Sequence, residues 1–133
     1  MLLDTLSLYP EDKFTLTNLA RACHMVGNND EAVGYADRVL VEIDPEDIPA
    51  RITKAQSLIG RCGPGDLDSA VILCDEALQR APNSIGSRIT KVQALVSRGN
   101  PDDYRQAEEI LNAVELQEAG PSPATKRLRD KLA

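Results

Sequence analysis

An all-α fold built from helix pairs stacked in tandem is what this sequence predicts, and three observations carry the expectation. Residues 48–62 and 85–99 are identical at eight of fifteen positions, an offset of 37 residues that includes Arg51-Ile52-Thr53-Lys54 repeated as Arg88-Ile89-Thr90-Lys91. Prolines at 10, 45 and 82 punctuate the chain at 35 and 37 residues, near the roughly 34-residue period of helix–turn–helix repeats, and Pro cannot continue a helix beyond its first turn. The chain of 133 residues is 42% hydrophobic with 3% aromatics and no Trp. Its core must therefore come from Leu, Ile, Val and Ala, which suit close helix packing better than a β-sandwich does.

The elements follow in order. Leu2, Leu3 and Leu6 before Pro10 read as the last turns of a helix, as Val39, Leu40 and Ile43 do before Pro45. A stripe of Leu16, Leu19, Ala20 and Cys23, stopped by Gly27-Asn28-Asn29, predicts a helix over about 12–26. Ala32, Ala36, Val39 and Leu40 share one face of a second, over about 29–43. The next pair is expected at about 47–61 and 66–80, where Leu67, Ala70, Val71, Cys74, Ala77 and Leu78 recur at helical spacing and Asp66 or Asp68 can cap the start. A third pair falls at about 84–98, capped by Asn83 or Ser84, and at about 102–117. The matches Pro64/Pro101, Asp66/Asp103 and Ala70/Ala107 extend the 37-residue offset into it. A charged helix then runs to Leu132, with Ser122 as cap, Pro123 in its first turn and a narrow stripe of Ala124, Leu128 and Leu132. No segment alternates as a strand would. The expected division is a remnant or capping helix (1–9), repeats over 10–44, 45–81 and 82–120, and a C-terminal solvating helix (121–133), all in one domain.

Charge and chemistry exclude several classes. A net charge of −6 argues against nucleic acid, which needs clustered cations; the one cluster, Lys126, Arg127, Arg129 and Lys131, reads as a solvated helix face. No apolar run is long enough for membrane insertion, and Met1-Leu2-Leu3-Asp4 lacks the basic start of a signal peptide. Cys23, Cys62 and Cys74 have no metal-ligand spacing, and adjacent Cys23 and His24 point about 100° apart on a helix. They read as reduced residues of a cytoplasmic protein, with no metal and no cofactor. Gly63-Pro64-Gly65 lacks the Lys-Ser/Thr of a phosphate loop, and the lone His24 has no evident acid partner. No catalytic residues are assigned, and no enzyme is expected.

The pairs Leu19-Ala20 and Lys54-Ala55 midway along first helices, the small residues Ala32, Ala70 and Ala107 early in second helices, and the closing prolines resemble the tetratricopeptide repeat (TPR). The resemblance covers about residues 10–120 and implies a right-handed α-solenoid of about three repeats with a C-terminal capping helix. It departs from the family where Leu16, Arg51 and Arg88 stand in place of a bulky aromatic, and Cys23, Leu58 and Leu95 in place of a Tyr. The turns within the second and third units read as about three residues longer than usual.

The resemblance also implies a function, that of a scaffold binding a protein, either a peptide or a partner helix, in a concave groove lined by first helices. The implied lining is Thr17, Arg21, His24 and Met25 in the first unit, Ile52, Gln56 and Ile59 in the second, and Ile89, Gln93 and Val96 in the third. Two readings of Ile52, Ile59, Ile89 and Val96 stay open, groove rungs or core residues repeated by duplication. The chaperone-tail clamp of one TPR subgroup does not fit, because Ile89 and Gln93 occupy its cationic slots. Alternative roles are a self-assembly module and a recruiting domain of a larger enzyme. Because the chain opens on half a repeat, it is expected to be a piece of a longer array, and homodimers are expected to use residues 1–26.

Overall fold

The computed structural model describes residues 12–132, and every element among them is helical. Asp12 caps α1 (Lys13–Met25), its carboxylate accepting from the Phe14 and Thr15 amides. Helix α2 (Asn29–Arg38) ends in one turn of π-helix (Val39–Ile43). Asp47 caps α3 (Ile48–Arg61) through the Ala50 amide, with Pro49 in the first turn where its missing N–H costs nothing. Helix α4 spans Asp66–Arg80; α5 (Ile85–Arg98) is capped by Ser84, whose Oγ accepts from the Ser87 amide. Helices α6 (Pro101–Gln117) and α7 (Pro123–Leu132) complete the chain, and Ser122 Oγ takes the Thr125 amide at the start of α7. The helices expected from the sequence over residues 12–132 thus form within a residue of their expected bounds, the last turn of α2 being π-helical. Leu2, Leu3 and Leu6, the segment 1–9 and its part in a dimer lie outside the described residues.

Two details correct the sequence reading. Neither Asp66 nor Asp68 is the N-cap of α4; Gly65 is, in a left-handed conformation, and Asp66 stands inside the helix with its carboxylate turned back onto the Gly63 amide. The turns expected to be long are short: residues 62–65 and 99–100 separate the helices. Helix α3 runs on to Arg61 and α5 to Arg98 before a left-handed residue stops each, Cys62 at φ +50° and Gly99 at φ +77°. Connections this short between packed helices leave them antiparallel.

Each helix packs on the next, and α1, α3, α5 and α7 also pack on one another in that order, whereas the backbones of α2, α4 and α6 do not approach one another closely among the described residues. Alanines make the approach possible: Ala20, Ala32, Ala36, Ala55, Ala70, Ala94 and Ala107 are fully buried, and small side chains permit axes at the short end of the 8–10 Å range. Three core clusters follow the chain: Leu16, Val39 and Ala50; then Ala55, Leu58, Ala70, Cys74 and Ala94; then Val92, Leu95, Ala107, Leu111 and Leu128.

The 37-residue offset is visible in the contacts as well as the letters. Arg61 holds Asp66 with two hydrogen bonds, Nε–Oδ2 2.8 Å and Nη2–Oδ1 3.0 Å, while its Nη1 reaches Asp30 on the preceding second helix at 2.9 Å. Arg98 holds Asp103 in the same way at 2.8 and 2.7 Å, and reaches Asp68 at 2.8 Å. Each aspartate also accepts the amide three residues before it, Gly63 or Asn100. Lys54–Asp37 and Lys91–Asp75, both 2.6 Å, repeat a second bridge between a first helix and the second helix before it.

Where the resemblance wanted an aromatic, Arg51 is buried: its Nη2 donates to the Pro45 carbonyl, Nη1 lies 3.8 Å from Glu76, and Nε and Nη1 lack hydrogen-bond partners. The C-terminal basic cluster is not wholly solvated. Lys126, Arg127 and Lys131 are exposed, but Arg129 bonds Glu115 at 2.7 Å and Asn112 at 2.6 Å, which ties α7 to α6.

Candidate functional site: a half-exposed row across the first helices

A first helix in this packing has little free surface. Helix α3 touches α1, α2, α4 and α5, so residues 50, 51, 53, 55, 57 and 58 are buried. The face left over is a stripe at three- and four-residue spacing: Ile52, Gln56 and Ile59, all half-buried, with Pro49 and Gly60 exposed beyond them. In α5 the same stripe is Ile89, Gln93 and Val96, half-buried, with Gly86 and Ser97 exposed. In α1 it is Thr17, Arg21, His24 and Met25, flanked by exposed Phe14 and Asn18. The residues expected to line a groove therefore fall on corresponding faces of three helices that pack side by side.

Their environments differ. Ile52 and Ile59 pack against the second core cluster, and Ile89 and Val96 against the third, so each belongs partly to the core and partly to the surface. Their packing bears on the core reading, and their half-exposure follows because a flank position on a helix wedged between neighbours is half covered. The Gln56 and Gln93 amides make no hydrogen bond to a described residue. Thr17 departs from the expectation of an open groove position: it is 7% exposed, and its Oγ1 has no hydrogen-bond partner. Arg21 is exposed and forms neither an ion pair nor a hydrogen bond with a described residue. His24 Nδ1 lies 3.1 Å from Asn29 Oδ1, so its partner is an amide and not an acid. Met25 is 77% exposed.

Two clefts frame the surface. One, of about 260 Å³, is lined by Lys13, Phe14, Thr17, Asn18, Arg21, Asp47 and Pro49 and joins the α1 stripe to the start of α3. Phe14, Asn18 and Pro49 were missed in the sequence; the 14–18–21–25 spacing on α1 was the signal that could have found the first two. The larger cleft, about 470 Å³, lies at the end of α6 between Asn112, Glu115, Leu116, Ala119 and Gly120, away from the row, and Arg129 already engages Glu115 and Asn112.

On the cleft rim the Lys13 ammonium is raised above its ordinary value by Asp44 and Asp47, and further perturbed groups lie at the helix ends. Arg61 holds the Asp66 carboxyl below its ordinary range, and Arg98 does the same for Asp103; both pairs join helix ends. Burial pushes the Cys74 thiol up to about 12, with the neighbouring Asp75 charge adding to the shift, and Cys23 is raised by burial and by Glu31. All three cysteines are unpaired. Among the described residues no His, Cys, Asp and Glu cluster could hold a metal ion, and no helix is long and apolar enough to cross a membrane. No family model, curated protein or solved structure matches this chain.

Proposed function

We propose that this chain is a TPR-like array, a right-handed α-solenoid of about three helix pairs closed by α7, whose first-helix surface binds an extended segment of a protein partner. The observation that carries this is the row Arg21, Gln56 and Gln93, polar groups with no hydrogen bond or ion pair to a described residue, the two glutamines each flanked on both sides by half-buried aliphatic residues. Among the described residues the backbones of first helices approach one another more closely than those of second helices, which supports a stack curved around this row. Unpaired amides can bond a peptide backbone, and the aliphatic rows on either side receive side chains that alternate along an extended chain. The strongest electrostatic perturbations belong to the helix-end clasps and not to the row, which favours binding over catalysis. The free cysteines fit a cytoplasmic setting.

The test is the double variant Gln56→Ala, Gln93→Ala. Peptides selected on the wild-type domain should bind it several-fold more weakly, because partner groups lose hydrogen bonds in a desolvated interface, while its melting temperature stays within about 2 °C, as surface changes cost little. A melting temperature lowered by 10 °C or more would make both glutamines structural and end the groove reading.

A further inference from the structure

We infer that the partner segment carries an internal Asp or Glu side chain that pairs with Arg21, and that this pairing fixes which end of the segment lies over α1. The inference rests on the groove reading above.

The acids of this chain outnumber its Lys and Arg by 21 to 15, and most cations are already engaged. In α1 to α6, Lys13, Lys54, Lys91, Arg38, Arg51, Arg61, Arg80, Arg98 and Arg105 face carboxylates, and Arg88 bonds Gln117. Among the Lys and Arg of those helices, Arg21 alone has neither an ion pair nor a side-chain hydrogen bond to a described residue. No stripe position of α1, α3 or α5 is Asp or Glu. Arg21 lines the 260 Å³ cleft together with Lys13, Phe14, Asn18 and Pro49. A carboxylate entering there would accept charge-assisted hydrogen bonds from the guanidinium. Asp47, which lines the same cleft, is held by Lys13 at 3.4 Å and by the Ala50 amide.

An internal side chain fits better than a chain terminus. Phe14 and Pro49 line the same cleft as Arg21, so apolar surface is available to the residues that neighbour the carboxylate in an unbroken segment. The row's length sets the segment's size: packed helix axes are about 8–10 Å apart, so Arg21 to Gln93 spans about 16–20 Å, or about five to six extended residues.

The experiment uses three libraries of acetylated nonapeptides, two amidated and one with a free C-terminus, whose five central positions are drawn from Leu, Ile, Val and Thr. One amidated library carries Glu at one end of that run, the other Gln, and the third carries Gln with a free C-terminal carboxylate. Binding to the full chain is read by fluorescence anisotropy. The Glu peptides should bind about three- to tenfold more tightly than their Gln partners at low ionic strength, an advantage that shrinks in 0.5 M salt. Arg21→Gln should abolish the advantage, and Arg21→Lys should keep part of it. Equal binding of Glu and Gln peptides, with both still weakened by the Gln56→Ala, Gln93→Ala variant, would overturn this inference and leave the groove standing. Preference for the free C-terminus would overturn the internal carboxylate. No binding by any library at 1 mM would overturn the groove reading as well.

Discussion

Replacing Asp103 by Ala probes the repeated clasp most directly. The side chain is 3% exposed and does two jobs: it accepts both hydrogen bonds of the Arg98 fork, and it caps the Asn100 amide at the start of α6. Charge-assisted bonds of this kind contribute about 1.5–3 kcal/mol and a cap about 1 kcal/mol. Arg98 is itself about a quarter exposed and keeps Asp68 at 2.8 Å, so water and the second carboxylate recover part of the loss. A net cost of about 2–3 kcal/mol follows. Arg98→Ala should cost about as much, since it strands a buried carboxylate on one amide. The two changes share one interaction, so the double variant should cost about 3–4 kcal/mol, well short of the sum. Urea unfolding followed by circular dichroism measures all three. The pH dependence gives a second reading. Arg98 holds the Asp103 carboxyl below its ordinary value, so its contribution is complete above the unfolded carboxylate value of about 3.9 and is lost as pH falls through the lower folded value. Wild type should therefore lose stability relative to Asp103→Ala only below about pH 4. Strict additivity of the two single variants, or a gap between wild type and Asp103→Ala that does not close in acid, would refute the clasp.

Two further expectations use the same repeat logic. Cys62 and Gly99 occupy the same left-handed stop one repeat apart, and Gly adopts that conformation without the Cβ penalty. Cys62→Gly should thus stabilise the domain by about 0.5–1 kcal/mol in the same urea assay, and a loss of stability would show that the Cys62 side chain makes a contact worth more than the strain. In iodoacetamide labelling at pH 8 followed by peptide mass spectrometry, exposed Cys62 should react first. Cys23 should lag, and Cys74, buried and raised to about 12, should react only with unfolding; fast labelling of Cys74 under native conditions would contradict its place in the core.

What the sequence determined by itself is the set of helices and their period. Helical spacing of Leu16, Leu19 and Ala20, the stops at Gly27 and Pro45, and the duplication of residues 48–62 are local or self-referential signals, so they can be read without knowing what packs on what. The face that would become a surface was legible too, since Ile52, Gln56 and Ile59 repeat as Ile89, Gln93 and Val96. The tertiary structure decided how each of those residues is used. Arg61 and Arg98 looked like ordinary helix-end cations, and only the fold brings Asp30 and Asp68, some 30 residues away, within 2.9 Å of them. Arg129 read as solvated until α7 folded onto Glu115. Thr17 read as a groove position and became a nearly buried hydroxyl, because the start of α3 closes over it. Spacing along a helix fixes which residues share a face; how deeply each is covered depends on the neighbouring helix, whose position is set by packing between segments distant in sequence.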